Sequence, residues 1–194
     1  MFRLRFLPLM FLPLAAGGCE TLGLSDGPVM VVETISPCPS TAVLSDAVTV
    51  TKVKPGTPSG MAANPQNVVL TAEMSRAQLE CDYDREANTL SVDISFAVRA
   101  TRGAGAAGAA EPALDYFVAI VDIDNNVLVK KQFQSRPALG NRQTGVFQEN
   151  VESFAIPLME GKRPYDYEIL TGFQLTPDEL AYNRIPKPVP LRRP

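Results

Sequence analysis

The sequence predicts an all-β domain, an antiparallel β-sandwich of immunoglobulin-like architecture completed by one short C-terminal helix. Three observations predict it. Short apolar segments alternate with period two, most clearly in TLSVDISFAV, where Leu90, Val92, Ile94, Phe96 and Val98 interleave with polar or small residues. Clusters of Gly, Pro and Asn punctuate these segments at short intervals. A helix-start signature, by contrast, stands out at one place near the C-terminus. With 194 residues, 45% of them apolar and 20% charged, the chain can bury an ordinary globular core.

The elements follow in order. VMVVETI, residues 29–35, is a β-branched run and the first expected strand. TAVLSDAVTVTKV, residues 41–53, reads two ways: Val43, Ala47 and Val50 suit a helical turn, whereas VTVTKV alternates, which favours a strand after a short turn. Residues 54–66 are rich in Pro, Gly and Asn and form a loop. Val68, Leu70, Ala72 and Met74 share one parity while Leu79, Cys81 and Tyr83 take the other, so a bulge or bend falls between Ser75 and Gln78. Asn88 turns the chain into TLSVDISFAV. TRGAGAAGAAEP, residues 101–112, has little to bury and reads as a mobile connector.

YFVAIVDIDNNVLVKKQF, residues 116–133, is a hairpin in which Asn125 and Asn126 tolerate positive φ. Its first strand is apolar on both parities from Tyr116 to Val121, as for a central strand covered on both faces. ENVESFAIPL then places Phe154, Ile156 and Leu158 on one strand face, and YDYEILTGFQL does the same with Tyr165, Tyr167, Ile169 and Phe173. Thr176 as N-cap, Pro177 at the first helical position and the acids Asp178 and Glu179 start the helix in TPDELAYNR. IPKPVPLRRP closes the chain as a polyproline-like tail. The hallmarks of true immunoglobulin domains are missing, since the chain has no Trp and Leu79 stands two residues before Cys81 where a Tyr would be.

The N-terminus indicates the compartment. Arg3 and Arg5 precede the uncharged, mostly apolar run Phe6 to Gly18, which ends in small residues. Thirteen residues at about 1.5 Å each reach only roughly 20 Å, against about 30 Å of hydrocarbon, and Pro8 and Pro13 disfavour a spanning helix further. Residues 1–18 therefore read as a signal peptide. The string Ala16, Gly17, Gly18, Cys19 resembles the lipobox of bacterial lipoproteins, with Ala16 where that motif usually carries Leu. The resemblance implies diacylglyceryl transfer to the Cys19 thiol and cleavage just before it; the alternative is a plain secretory signal that leaves Cys19 a thiol. Residues 19–28 then form the lipidated N-terminus and tether, 29–184 the sandwich, and 185–194 a Pro-rich basic tail. The expected address is the periplasmic side of a bacterial membrane, the outer in preference to the inner. Two or three acyl chains, at about 0.8 kcal/mol per buried CH₂, would hold the protein there durably.

The other two cysteines, Cys38 and Cys81, pair naturally as a disulfide in an oxidising compartment. The absence of histidine excludes imidazole catalysis and imidazole metal ligation, and two cysteines cannot complete a zinc site unaided. A net charge of −3 offers nothing to nucleic acid. DIDNN, Asp122 to Asn126, fails as a calcium loop because Val127 and Phe133 occupy the positions of the required Gly and Glu. No serine-nucleophile, dinucleotide or P-loop signature occurs. Two carboxylate pairs, Asp82/Asp84 and Asp166/Glu168, have strand spacing that would put each on one face. The C-terminal cations Arg184, Lys187, Arg192 and Arg193 are candidates for contact with an acidic partner or anionic lipid, Arg184 serving first as a cation at the helix C-terminus. Phe173, Gln174 and Tyr182 are expected to seal a core edge.

Beyond the N-terminus, Cys38 with Pro39, the hairpin at 116–133 and the ending GFQLTPDELAYNR resemble a family of alphaproteobacterial lipoproteins, over roughly residues 36–184. The resemblance brings no activity with it. The functional expectation is a non-enzymatic, lipid-anchored envelope protein, without cofactor, that binds or scaffolds another envelope component. The alternatives are a periplasmic hydrolase using paired carboxylates and a carrier of a small apolar ligand. A binding module should expose an apolar patch or a bare strand edge, a hydrolase two acids across a cleft, and a carrier an internal cavity.

Overall fold

The computed structural model describes residues 38–58 and 64–185. The expected strand at 29–35 and the tail beyond Ile185 lie outside the described residues, as does Cys19. The described residues hold nine strands and one α-helix, in order: β1 (Ser40–Val43), β2 (Thr49–Val53), β3 (Val68–Met74), β4 (Gln78–Asp84), β5 (Thr89–Arg102), β6 (Leu114–Asp122), β7 (Val127–Ser135), β8 (Thr144–Pro157), β9 (Tyr167–Phe173) and α1 (Pro177–Asn183). They form two sheets, one ordered β1-β9-β6-β7 and the other built from β2, β3, β4, β5 and β8. The all-β sandwich is therefore the observed fold. It departs from a purely antiparallel one at a single pair, because β1 runs parallel to β9. A four-residue strand entering at a sheet edge needs no hairpin partner, so nothing in its local sequence sets its direction.

The ambiguous stretch 41–53 holds both readings at once. β1 ends in one sheet, a 3₁₀ turn at Ser45–Ala47 carries the chain across, and β2 joins the other sheet running in the same direction. In the second sheet the long β5 pairs along one edge with β8, and along its other edge with β4 at one end and β3 at the other. The parity switch is a bulge between β3 and β4: Met74 lies opposite Val98 and Gln78 opposite Ser95, so the β3–β4 side has one residue more than β5 over that interval. Ser75 repairs the ladder. Its N–H donates to Ala97 O and its Oγ accepts from Ala97 N, each at 2.8 Å. A second bulge lies opposite Asp93, whose Oδ1 accepts the N–H of Ser153 at 2.7 Å, with Ser153 at φ 53°.

The core lies between the sheets. Leu90, Val92, Ile94, Phe96 and Val98 of β5 meet Tyr116, Val118 and Ile120 of β6 and Tyr167, Ile169 and Phe173 of β9. β6 is covered on both faces as its pattern predicts: Phe117 and Ala119 point the other way and pack with Ala47, with Leu175 against them. Thr171, fully buried on β9, donates from Oγ1 to Phe117 O at 2.8 Å, so its hydroxyl is satisfied inside the core. The edge strand β7 carries Lys130 and Lys131, whose ammonium groups sit 4.4 and 4.3 Å from the ring centres of Phe117 and Phe154. Charges on an edge strand discourage pairing with another chain, and β4 on its own edge does the same with Glu80, Asp82 and Asp84.

Two segments differ from expectation. The Gly/Ala stretch begins as strand, since β5 runs to Arg102, and it then packs closely: Gly105 is buried, and a Cβ on Gly103 would lie 2.1 Å from Val68 O. Glycine is there for close approach of backbone to backbone, not only for looseness. Tyr165 and Asp166 belong to a 3₁₀ turn, Pro164–Asp166, rather than to β9, and Tyr165 is exposed. Pro164 opens that turn and ends the strand periodicity.

Candidate functional site

The strand directions sort the loops into two ends. β9 begins beside the end of β6, with Tyr167 opposite Asp122. β8 ends beside the start of β5, with Pro157 opposite Thr89, and Leu158 N donates to Asn88 O at 3.2 Å. The turns 85–88 and 123–126 and the loop 158–166 therefore share one end. The described chain enters there as well, because Ser40 at the start of β1 lies opposite Glu168. Just before β1, Cys38 is bonded to Cys81 of β4, with Cα atoms 5.7 Å apart. The disulfide read from the sequence is thus present and fastens an edge strand of one sheet to an edge strand of the other.

Turn 123–126 is built by Asp122. Its Oδ1 accepts the N–H groups of Asp124 and Asn126, its Oδ2 accepts from Asn126 Nδ2, and Asn125 takes φ 62°. Only the first of the two asparagines is left-handed. The hydrogen bonds from Asn126, side chain first and backbone next, hold the Asp122 carboxyl below the usual range. This geometry presents Ile123 and Val127 to solvent at 64% and 60% exposure.

On the opposite side, α1 and β2 border a groove of about 500 Å³. The helix forms where its signature placed it. Thr176 Oγ1 accepts the N–H of Glu179, and Glu179 Oε2 accepts the N–H of Thr176 at 2.8 Å, a complete capping box. The other oxygen of Glu179 takes the ammonium of Lys52 at 2.8 Å, so one carboxylate both caps α1 and ties it to β2. At the far end of the helix, Asn183 Nδ2 donates to Asp46 O and Thr49 O. Val53, Pro58, Ala181, Tyr182 and Ile185 give the groove apolar walls, with Thr51, Thr57 and Asp178 among them. Pockets of this kind, apolar with a few polar groups, are what small ligands and peptide segments occupy.

Of the tail cations, Arg184 is placed and the others, Lys187, Arg192 and Arg193, lie outside the described residues. Arg184 is the residue that ends α1, and its Nε donates to Asp46 Oδ2 at 2.8 Å. It is thereby engaged with the 3₁₀ turn after β1 and serves structure. One member of each carboxylate pair is committed to its own turn. Asp84 Oδ1 accepts the N–H groups of Glu86 and Ala87, and Asp166 Oδ2 accepts that of Arg163. A different carboxylate set, which the sequence reading missed, borders a shallow hollow of about 310 Å³ on the outer face of the second sheet: Glu80, Asp93 and Glu152. Asp93 is committed to Ser153, as above. Among the described residues, no group of three His, Cys, Asp or Glu is placed to hold a metal, and no helix is long and apolar enough to cross a membrane.

A buried polar cluster was also illegible in the sequence. Glu149 of β8 accepts from Ser135 Oγ at 2.5 Å and from Tyr116 Oη at 3.4 Å, bridging the two sheets. The Tyr116 ring stacks on Phe133 at 5.3 Å and meets Phe96 edge-on at 5.2 Å. Burial first, then the charge of Glu149 and the hydrogen bond to it, push the Tyr116 hydroxyl up to about 12. The three residues are separated in sequence by 33 and 14 positions, which no local pattern spans.

Compared with known protein families, curated proteins and solved structures, the chain matches none of them.

Proposed function

We propose that the chain is a lipid-anchored, non-catalytic protein of a bacterial cell envelope, attached through Cys19 on the periplasmic side of a membrane. Its sandwich binds another envelope component in the groove between α1 and β2. The observation that carries this reading is the groove itself: it is about 500 Å³ in volume, has apolar walls interspersed with polar and charged groups, and is built at the end of the domain opposite to the chain's entry. The lateral edges of β4 and β7 carry charges that discourage strand addition, whereas the groove offers apolar walls to a partner.

The hydrolase alternative has one observation in its favour, the Glu80, Asp93 and Glu152 hollow. Its acids lie on a solvated sheet face, and one is held by a bulge.

Two measurements test the reading. A photo-crosslinking side chain at Ala181 in intact membranes should yield a discrete adduct that disappears on Ile185→Glu and does not form from the same probe at Asp82. Equal, nonspecific adducts at both positions, or a hydrolytic activity lost on Glu80→Gln and Glu152→Gln, would overturn it. Mass spectrometry of the mature N-terminus should show an acylated Cys19, and Cys19→Ser should release the protein from membranes.

A further inference from the structure

We propose that the loop end at which the chain enters rests on the lipid surface, with Ile123, Val127, Met159 and Tyr165 entering the headgroup region. This deepens the anchored reading and rests on it. Of the eight exposed large hydrophobic side chains among the described residues, five lie at this end: Ile123, Val127 and Leu128 on the β6–β7 hairpin, and Met159 and Tyr165 on the loop before β9. Single exposed apolar residues are ordinary, but five gathered at the tips of two adjoining loops form a patch. The register sets the two loops side by side, and Met159 N donates to Tyr167 Oη at 3.0 Å, which fixes the second loop against the start of β9.

Lipid is favoured as the occupant by where the chain comes in. Cys38 lies at this end and follows Cys19 by nineteen residues. That separation spans at most about 65 Å, so an anchored Cys19 keeps the domain at high local concentration over the bilayer. Orientation falls to the surface that gains by leaving water, and this end carries most of the exposed large apolar side chains among the described residues. Tyr165 suits an interface, with a ring that buries and a hydroxyl that stays wet, and the Arg163 guanidinium lies 6.0 Å from the centre of that ring. Charge does not drive the contact. Arg85, Lys162 and Arg163 are outnumbered here by Asp84, Glu86, Asp122, Asp124, Glu160 and Asp166, of which Asp84, Asp122 and Asp166 are bonded to backbone N–H groups of their own turns. The contact is apolar, made with zwitterionic lipid, and weakened by added anionic lipid, which repels the excess of carboxylates.

Because the chain has no Trp, a single introduced indole reports without background. The full acylated protein, purified from membranes, is reconstituted on phosphatidylcholine vesicles containing brominated lipid. Ile123→Trp and Tyr165→Trp should be quenched several times more strongly than Val146→Trp, which is exposed near the other end of β8, and added phosphatidylglycerol should reduce that excess. Equal quenching at 123 and 146 in protein shown by mass to be acylated would overturn this inference and leave the anchor standing. Protein without acyl groups would overturn the anchor and, with it, this contact. An indole at 123 already blue-shifted in lipid-free Cys19→Ser protein would mean that another part of the chain or a second copy covers the patch, which also overturns it.

Discussion

Removing the Cys38–Cys81 bond should be the most damaging change that leaves every core side chain in place. The bond closes a loop of 43 residues, and the chain-entropy relation gives about 4 kcal/mol at 25 °C for restricting an unfolded chain to that extent. The structure says why the native state depends on it. β1 is four residues long, pairs among the described residues with β9 alone, and is followed at once by a turn into the other sheet. Without the bond, the segment before β1 has lost its tie to β4, and β1 is free to fray. That fraying returns entropy to the reduced native state, so about 4 kcal/mol is an upper bound. At about 2–4 °C per kcal/mol for a domain of this size, the melting temperature should fall by at most roughly 8–16 °C. At an m value of about 2 kcal/mol/M, the urea midpoint should fall by roughly 2 M. The assay is urea unfolding of the oxidised protein, the reduced protein and the Cys38→Ser/Cys81→Ser double variant. Hydrogen exchange in the two reduced forms should show β1 amides released ahead of those in β5. A loss of less than about 1 kcal/mol on both reduction and double substitution would refute the argument that loop closure dominates.

Two further changes probe other parts of the fold. Gly103→Ala puts a methyl 2.1 Å from Val68 O, a backbone atom held in β3, so β3 or the loop must move; a loss of about 2 kcal/mol or more in urea unfolding is expected, and a neutral variant would refute the close approach. For Tyr116 the folded hydroxyl is raised to about 12 from an ordinary 10. Its contribution to stability is therefore complete below pH about 10 and is lost as pH rises toward 12. The phenolate absorbance of the native wild type minus that of Tyr116→Phe should rise late, near 12, and Tyr116→Phe should flatten the alkaline decline in melting temperature; a difference titration centred near 10 would show that Glu149 and burial do not act as described.

What could be read from the sequence is what is decided within a few residues. The alternation of Leu90 to Val98, the parity change between Met74 and Leu79, the two-faced run at Tyr116 to Val121 and the capping box begun by Thr176 each record a local period or a local cap. All four reappear in the structure. Tyr165 shows the limit, because its parity matches Tyr167 yet Pro164 starts a turn before the strand can form. The Gly/Ala segment shows another: composition reveals freedom of the backbone, and only the neighbouring Val68 reveals that Gly103 and Gly105 use it to fit. The pairing of Cys38 with Cys81 was legible for a reason outside geometry, since the signal-like N-terminus set Cys19 apart and left two.

The partition of strands between sheets, the parallel pairing of β1 with β9, the Tyr116–Glu149–Ser135 bridge, the α1–β2 groove and the apolar end were decided by tertiary structure. Each joins residues separated by tens of positions. Backbone periodicity and capping act through hydrogen bonds a few residues long and leave their mark in local sequence. Which edges meet and which loops share an end depends on burying many apolar faces at once, a condition that belongs to the whole chain and to no segment of it.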